Sequence, residues 1–175
     1  MNTFLLKNKQ TGFTIIEMMV AVVILVIATG APLLMTTNAV RLATEAKTKV
    51  TADYLAIEAL EYIKNKRDNN KLNNKQFDQE LYPDGIEVQY KVDVFADAIV
   101  NCSGVSCNGD EHRMSYNIID GIRHYGHAGV QSKFKRMVMY EYVNADELGV
   151  IVEVTWDSPT GGGLASVRMN LFSWN

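Results

Sequence analysis

The sequence predicts an α+β fold: a long N-terminal α-helix, membrane-spanning in its first half, packed against a C-terminal antiparallel β-sheet. Three observations predict it. Residues 11–35, TGFTIIEMMVAVVILVIATGAPLLM, form an apolar run with one acid, Glu17. A helical period then continues to about residue 67. Beyond it the period changes to two, the signature of strands with one buried face.

Length and charge bound the rest. The chain has 175 residues, so with the apolar segment set aside roughly 140 remain, enough for one domain with a modest core. Seventeen basic residues are scattered among twenty acids, for a net charge of −3. That balance leaves no electrostatic footprint of a dedicated nucleic-acid binder.

The N-terminal segment admits two readings. Residues 1–12 carry Lys7 and Lys9 and no acid, and residues 18–35 carry no charge at all. As a helix, residues 13–35 span roughly 34 Å, enough to cross a hydrocarbon core. Lysines before the run place the N-terminus in the cytoplasm and the remainder outside. One reading is a secretory signal peptide cut near ATGA at 28–31. Against it, the apolar pattern resumes at Leu33, Leu34 and Met35, and Pro32 falls just past that cut. The other reading is a retained membrane helix whose short basic leader is removed between Gly12 and Phe13.

The stretch KNKQTGFTIIEMMVAVVIL resembles the processing site of type IV prepilins and the related type II secretion pseudopilins. Those chains have a short basic leader ending in Gly, then Phe, Glu at the fifth mature position, and an unbroken apolar helix. The leader, Gly12, Phe13, Thr14 and Glu17 match in identity and spacing. The resemblance implies a class III signal peptide: a membrane-embedded prepilin peptidase cuts after Gly12 and methylates the new amine of Phe13. More loosely, ADYLAIEALEYIKNKRDNN is similar to the helix continuation of minor pilins of the pilus-modification type. One departure is that Pro32 lies earlier than the family's usual mid-helix proline. The resemblance divides the chain into a leader (1–12), a transmembrane and assembly half-helix (13–35), an amphipathic half-helix (36–67) and a globular head (68–175).

Glu17 then has two roles to weigh. Thr14-x-x-Glu17 has the spacing of a capping box, in which the two side chains satisfy orphan amides at a helix start. The resemblance adds a second role, pairing with the free Phe13 amine of its own chain or of a neighbouring subunit. Each charge is costly alone once desolvated, so pairing would set register. Gly30 and Pro32 weaken the helix locally, as a passive kink or as a stretch that bends when subunits leave the bilayer.

After Met35 the helix turns amphipathic, with Ala39, Ala43, Ala46, Val50, Ile57, Leu60 and Ile63 as the predicted apolar stripe. It is expected to end near residues 66–67, before Asp68-Asn69-Asn70. IEVQYKVDVF (86–95) alternates Ile86, Val88, Tyr90, Val92 and Val94 on one face with polar residues on the other. FKRMVMYEYV (134–143), VIVEVTWD (150–157) and LASVRMNLFSW (164–174) read as further strands, linked by 144–149 and by SPTGGG at 158–163. Residues 97–133 read as irregular.

Cys102 and Cys107 fall in that irregular region. With the head outside the cytoplasm, they are expected to form a disulfide; free thiols and a metal site are the alternatives. His124 and His127 form an H-x-x-H pair with no acidic third ligand at helical spacing, and read as surface histidines. No metal, cofactor or catalytic set is expected, and TGGG at 160–163 reads as a turn, not a phosphate cradle.

The expected function is therefore structural, not enzymatic: a subunit, of the minor pilin kind, in a type IV pilus-like filament. By resemblance its partners are other pilin subunits, the prepilin peptidase and inner-membrane assembly machinery, with lipid around the helix before assembly. A type II secretion pseudopilin is the near alternative. A membrane-anchored module that binds an extracellular ligand, surface or DNA without polymerising is the distant one.

Overall fold

Thr14 opens the only helix assigned among the described residues, α1 (Ile15–Leu72). The computed structural model describes residues 12–82, 88–102, 113–126, 128–158 and 161–173. Two compact units divide the chain, Met1–Glu45 and Ala46–Asn175.

In the first unit every described side chain from 12 to 44 is exposed. This part of α1 is long and apolar enough to cross a membrane, and none of it is buried. Its hydroxyls are not left bare: Thr29 donates to Leu25 O at 2.8 Å, Thr36 to Pro32 O at 2.9 Å and Thr44 to Val40 O at 2.9 Å. Such back-bonding lets threonine sit in an apolar helix without a stranded donor. Gly30 and Pro32, where the sequence predicts a local weakening of the helix, lie within α1, which is continuous from Ile15 to Leu72. Proline removes one backbone donor, and the flanking turns are held by bonds of their own.

In the second unit α1 lies against a seven-stranded antiparallel sheet. The strands are β1 (Gln89–Asp93), β2 (Ala98–Asn101), β3 (Arg113–Ile119), β4 (Ile122–Gly126), β5 (Val130–Asn144), β6 (Glu147–Trp156) and β7 (Gly163–Phe172). β5 is the trunk. β1 and β3 pair in tandem along one edge of it, β6 along the other, and β2, β4 and β7 flank them. Alternation sets the inner face: Phe134, Arg136, Val138 and Tyr140 from β5, Val150, Val152 and Val154 from β6, and Tyr90 and Val92 from β1.

The helix face they meet is Ala52, Leu55, Ala56, Ala59, Leu60 and Ile63. This corrects the predicted stripe. Leu60 and Ile63 are buried, but Val50 is 52% exposed and Ile57 45%, and Ala39 and Ala43 are also exposed. At about 100° per residue, positions 50 and 57 lie roughly two-fifths of a turn from the centre of the buried face. Alanine marks that face because the absence of a long side chain lets the sheet approach the helix backbone.

The helix also runs about one and a half turns further than predicted, to Leu72. Asp68-Asn69-Asn70 does not break it, because nearly buried Asn70 turns inward and donates to Phe77 O and Gln79 O at 3.3 and 2.7 Å. Arg67 fastens the same turn to the end of β7 through Phe172 O at 3.0 Å. The chain turns out at Asn74, whose φ is 55°. Residues 97–133 are a second correction: they hold β2, β3, β4 and the start of β5. The hairpin of β3 and β4 turns on Asp120 and Gly121, both at positive φ, a strand signal hidden between two short runs. β1 begins later than predicted, residues 83–87 being outside the described set, while β5 and β6 are longer and leave only a tight turn between them.

Candidate processing and assembly site

Residues 12–14 are neither helix nor strand and directly precede α1. A peptidase works on backbone it can lift out of regular structure, and the 12–13 bond lies in such a stretch. A Cβ on Gly12 would meet nothing within 4 Å, and Phe13 is 74% exposed. Nothing described in the chain obstructs this bond.

Thr14 caps the helix. The Glu17 amide donates to Thr14 O at 3.1 Å and lies 3.4 Å from Thr14 Oγ1, and the Met18 amide donates to Thr14 O at 3.2 Å. That is one half of the predicted capping box. The other half, from the Thr14 amide to the Glu17 carboxylate, is not formed among the described residues, and none of their ion pairs involves Glu17. The acid is exposed on a helix start whose partial positive charge favours an anion. Phe13 is still joined to Gly12, so its nitrogen is an uncharged amide; a cation at that atom arises only on cleavage. Ile15, Met18, Met19, Val22 and Val23 line an apolar groove on one side of the helix. By the helical angle, Glu17 lies on the other side.

Gly30 and Pro32 stay helical, as described above. Cys102 follows β2, is nearly buried and is disulfide-bonded; Cys107 lies outside the described residues. His124 sits half-buried on β4 with its ring edge-on to Phe95, centroids 5.6 Å apart, and His127 lies outside the described residues.

Two features of the head were missed from the sequence. Arg136 is fully buried, donating to Leu55 O at 2.9 Å, to Glu58 Oε2 at 2.7 Å and to Val92 O at 2.7 Å. Burial pulls its guanidinium below the ordinary value, and neighbouring Glu58 opposes the shift. Its signal was legible: it shares the alternating inward positions with Phe134, Val138 and Tyr140. The second is the turn between β1 and β2, pinned to α1 by a 2.8 Å bond from the Tyr62 hydroxyl to Asp97 Oδ1, with Lys66 at 3.5 Å. Burial, then this bond, raises the Tyr62 hydroxyl, while the bond and Lys66 hold the Asp97 carboxyl below its usual range. No sequence pattern couples residues so far apart in the chain.

No curated protein and no solved structure matches the chain. The family model of the prokaryotic N-terminal methylation motif matches residues 7–31, the stretch that holds Gly12, Phe13 and Glu17, so the chain carries a type IV pilin-like class III signal peptide.

Proposed function

We propose that this chain is a structural subunit, of the minor pilin kind, in a type IV pilus-like extracytoplasmic filament. The observation that carries the reading is one acid, four residues after an open Gly-Phe bond, in an apolar first part of α1 that carries no other charge before Arg41 and whose described side chains are exposed. A prepilin peptidase cuts between Gly12 and Phe13 and methylates Phe13. The helix holds the subunit in the membrane until assembly machinery moves it into the filament. There Glu17 pairs with the Phe13 amine of a subunit, because a desolvated carboxylate and a desolvated ammonium are each costly alone. The stretch at Gly30 and Pro32 bends or melts as the helix exchanges lipid for protein. In the head, Cys102 pairs with Cys107. A type II secretion pseudopilin would use the same parts. The motif supports either assembly, and counting copies of the chain in sheared surface filaments separates them.

The test is Glu17→Ala. Membrane insertion and removal of the leader are expected to be normal, while the chain disappears from sheared filaments by at least tenfold. Normal incorporation of this variant would overturn the assembly role and favour a membrane-anchored binding module.

A further inference from the structure

The side of the head where the turn between β1 and β2 faces the hairpin of β3 and β4 holds a cleft of about 270 Å³. One wall is the turn, carrying Phe95 and Ala96; the other is the hairpin, carrying Asn117, Ile119 and His124. Asp93 and Gly126 close the base, and a Cβ on Gly126 would sit 3.5 Å from the Phe95 ring and 3.6 Å from Asp93 Oδ1. Both walls are held in place before any ligand arrives. Asp93 Oδ1 accepts the amides of Phe95 and Ala96 at 3.0 and 3.1 Å, and Tyr62 and Lys66 anchor the turn through Asp97. Asn117 donates to Ala128 O at 3.1 Å, and the hairpin closes on a two-residue turn. Preformed walls lower the ordering cost of binding.

The lining has a specific chemistry. Phe95 and Ile119 are 60% and 53% exposed, an apolar surface of the kind that marks recognition when polar groups rim it. The polar groups are Asp93 Oδ2, Asn117 Oδ1 and the His124 imidazole, none of which has a hydrogen-bond partner among the described residues. They combine acceptors with a ring that can donate or accept. A cation only donates: it can take the acceptors, the imidazole lone pair included, but leaves the ring N–H unused. A phosphate would meet the Asp93 carboxylate. A neutral sugar hydroxyl both donates and accepts, and the C–H face of a pyranose ring presents apolar surface to an aromatic wall. A volume near the lower end of small-molecule sites suits one ring of a longer glycan.

We propose that this cleft binds a neutral pyranose unit of a surface glycan, with Phe95 as the stacking wall and Asp93, Asn117 and His124 bonding its hydroxyls. The site stands on the head alone and does not depend on filament assembly.

Saturation-transfer NMR on the full chain in nanodiscs tests it, using methyl pyranosides of gluco, galacto, manno and N-acetylglucosamine configuration as probes. At least one is expected to receive saturation, with its ring C–H protons strongest, and Phe95→Ala is expected to reduce that signal at least fivefold. Asp93→Asn keeps the acceptor that holds the turn and is expected to weaken binding while the circular dichroism spectrum stays unchanged. If no probe receives saturation above empty nanodiscs, or if the signal survives both substitutions, the assignment is wrong. Preferential binding of inorganic phosphate or of single-stranded DNA at these residues would overturn it equally.

Discussion

Arg136 places a charged group where helix and sheet meet, with 0% exposure. Its guanidinium spans α1, β5 and β1 through Leu55 O, Glu58 and Val92 O. The pair is asymmetric, because the Glu58 side chain keeps 36% of its surface in water whereas Arg136 keeps none. Removing the arginine lets Glu58 rehydrate and takes one donor each from the Leu55 and Val92 carbonyls, so Arg136→Met should cost about 1–2 kcal/mol. Removing the acid leaves a buried charge without its counter-ion, so Glu58→Ala should cost more, about 2–3 kcal/mol. Urea unfolding of the full chain in nanodiscs, followed by near-ultraviolet circular dichroism, measures both. The reverse ranking would mean that the arginine's hydrogen bonds to carbonyls, and not its ion pair, hold it in place.

At the scale of the element, α1 carries two apolar lines, and only one meets the sheet. Ala52, Ala56 and Ala59 sit in the core at 0% exposure, while Val50, Tyr54 and Ile57 remain at the surface. Enlarging a buried alanine forces neighbours off their rotamers, so Ala56→Leu should destabilise the head by about 1–3 kcal/mol. Ile57→Glu, one residue along, should change stability by less than about 0.5 kcal/mol, as exposed positions usually do. Thermal unfolding of the two variants side by side checks the phase of the helix. A large loss from Ile57→Glu would show that the outer line is covered in the protein. Sheet strands carry a comparable constraint at Gly163, where a Cβ would come within 2.1 Å of the Trp156 indole. The indole lies across that glycine because the two residues are cross-strand partners.

For the whole molecule, the decisive event under the proposed function is the trimming of the N-terminus. In the untrimmed chain Glu17 has no ion-pair cation among the described residues, and the first part of α1 is long and apolar enough to cross a membrane. The proposed cut would give Phe13 an amine one turn from Glu17. Mass spectrometry of the mature chain is expected to show Phe13 as the first residue, carrying one added methyl group. Gly12→Val is expected to leave the leader attached, because a branched side chain fills the space that is open beside the bond. A mature chain beginning near residue 31 would mean a conventional signal peptide and no retained helix.

Much of this was legible in the residues themselves, for reasons that are local. A run of apolar side chains needs a helix in lipid because its backbone must satisfy itself. Thr14 caps through atoms three residues apart, and alternation in 89–93, 134–143 and 150–156 assigns a face to every side chain without reference to a partner. The methylation motif is of the same kind, being read in order along the chain. Which stripe of α1 is buried, why Asp68-Asn69-Asn70 stays helical, and how Phe95 comes to face His124 were not legible. Each depends on a surface contributed from far away in sequence: the inner face of the sheet, the end of β7, the hairpin of β3 and β4. Sequence alone determined α1, β1, β5, β6, β7 and the processing signal, since short-range geometry and solvent preference suffice for these, whereas β2, β3 and β4 read as irregular until the sheet placed them. Tertiary structure decided the buried face of α1, the partners of Arg136 and the existence of the cleft, since each is a property of two surfaces meeting and neither surface encodes it singly.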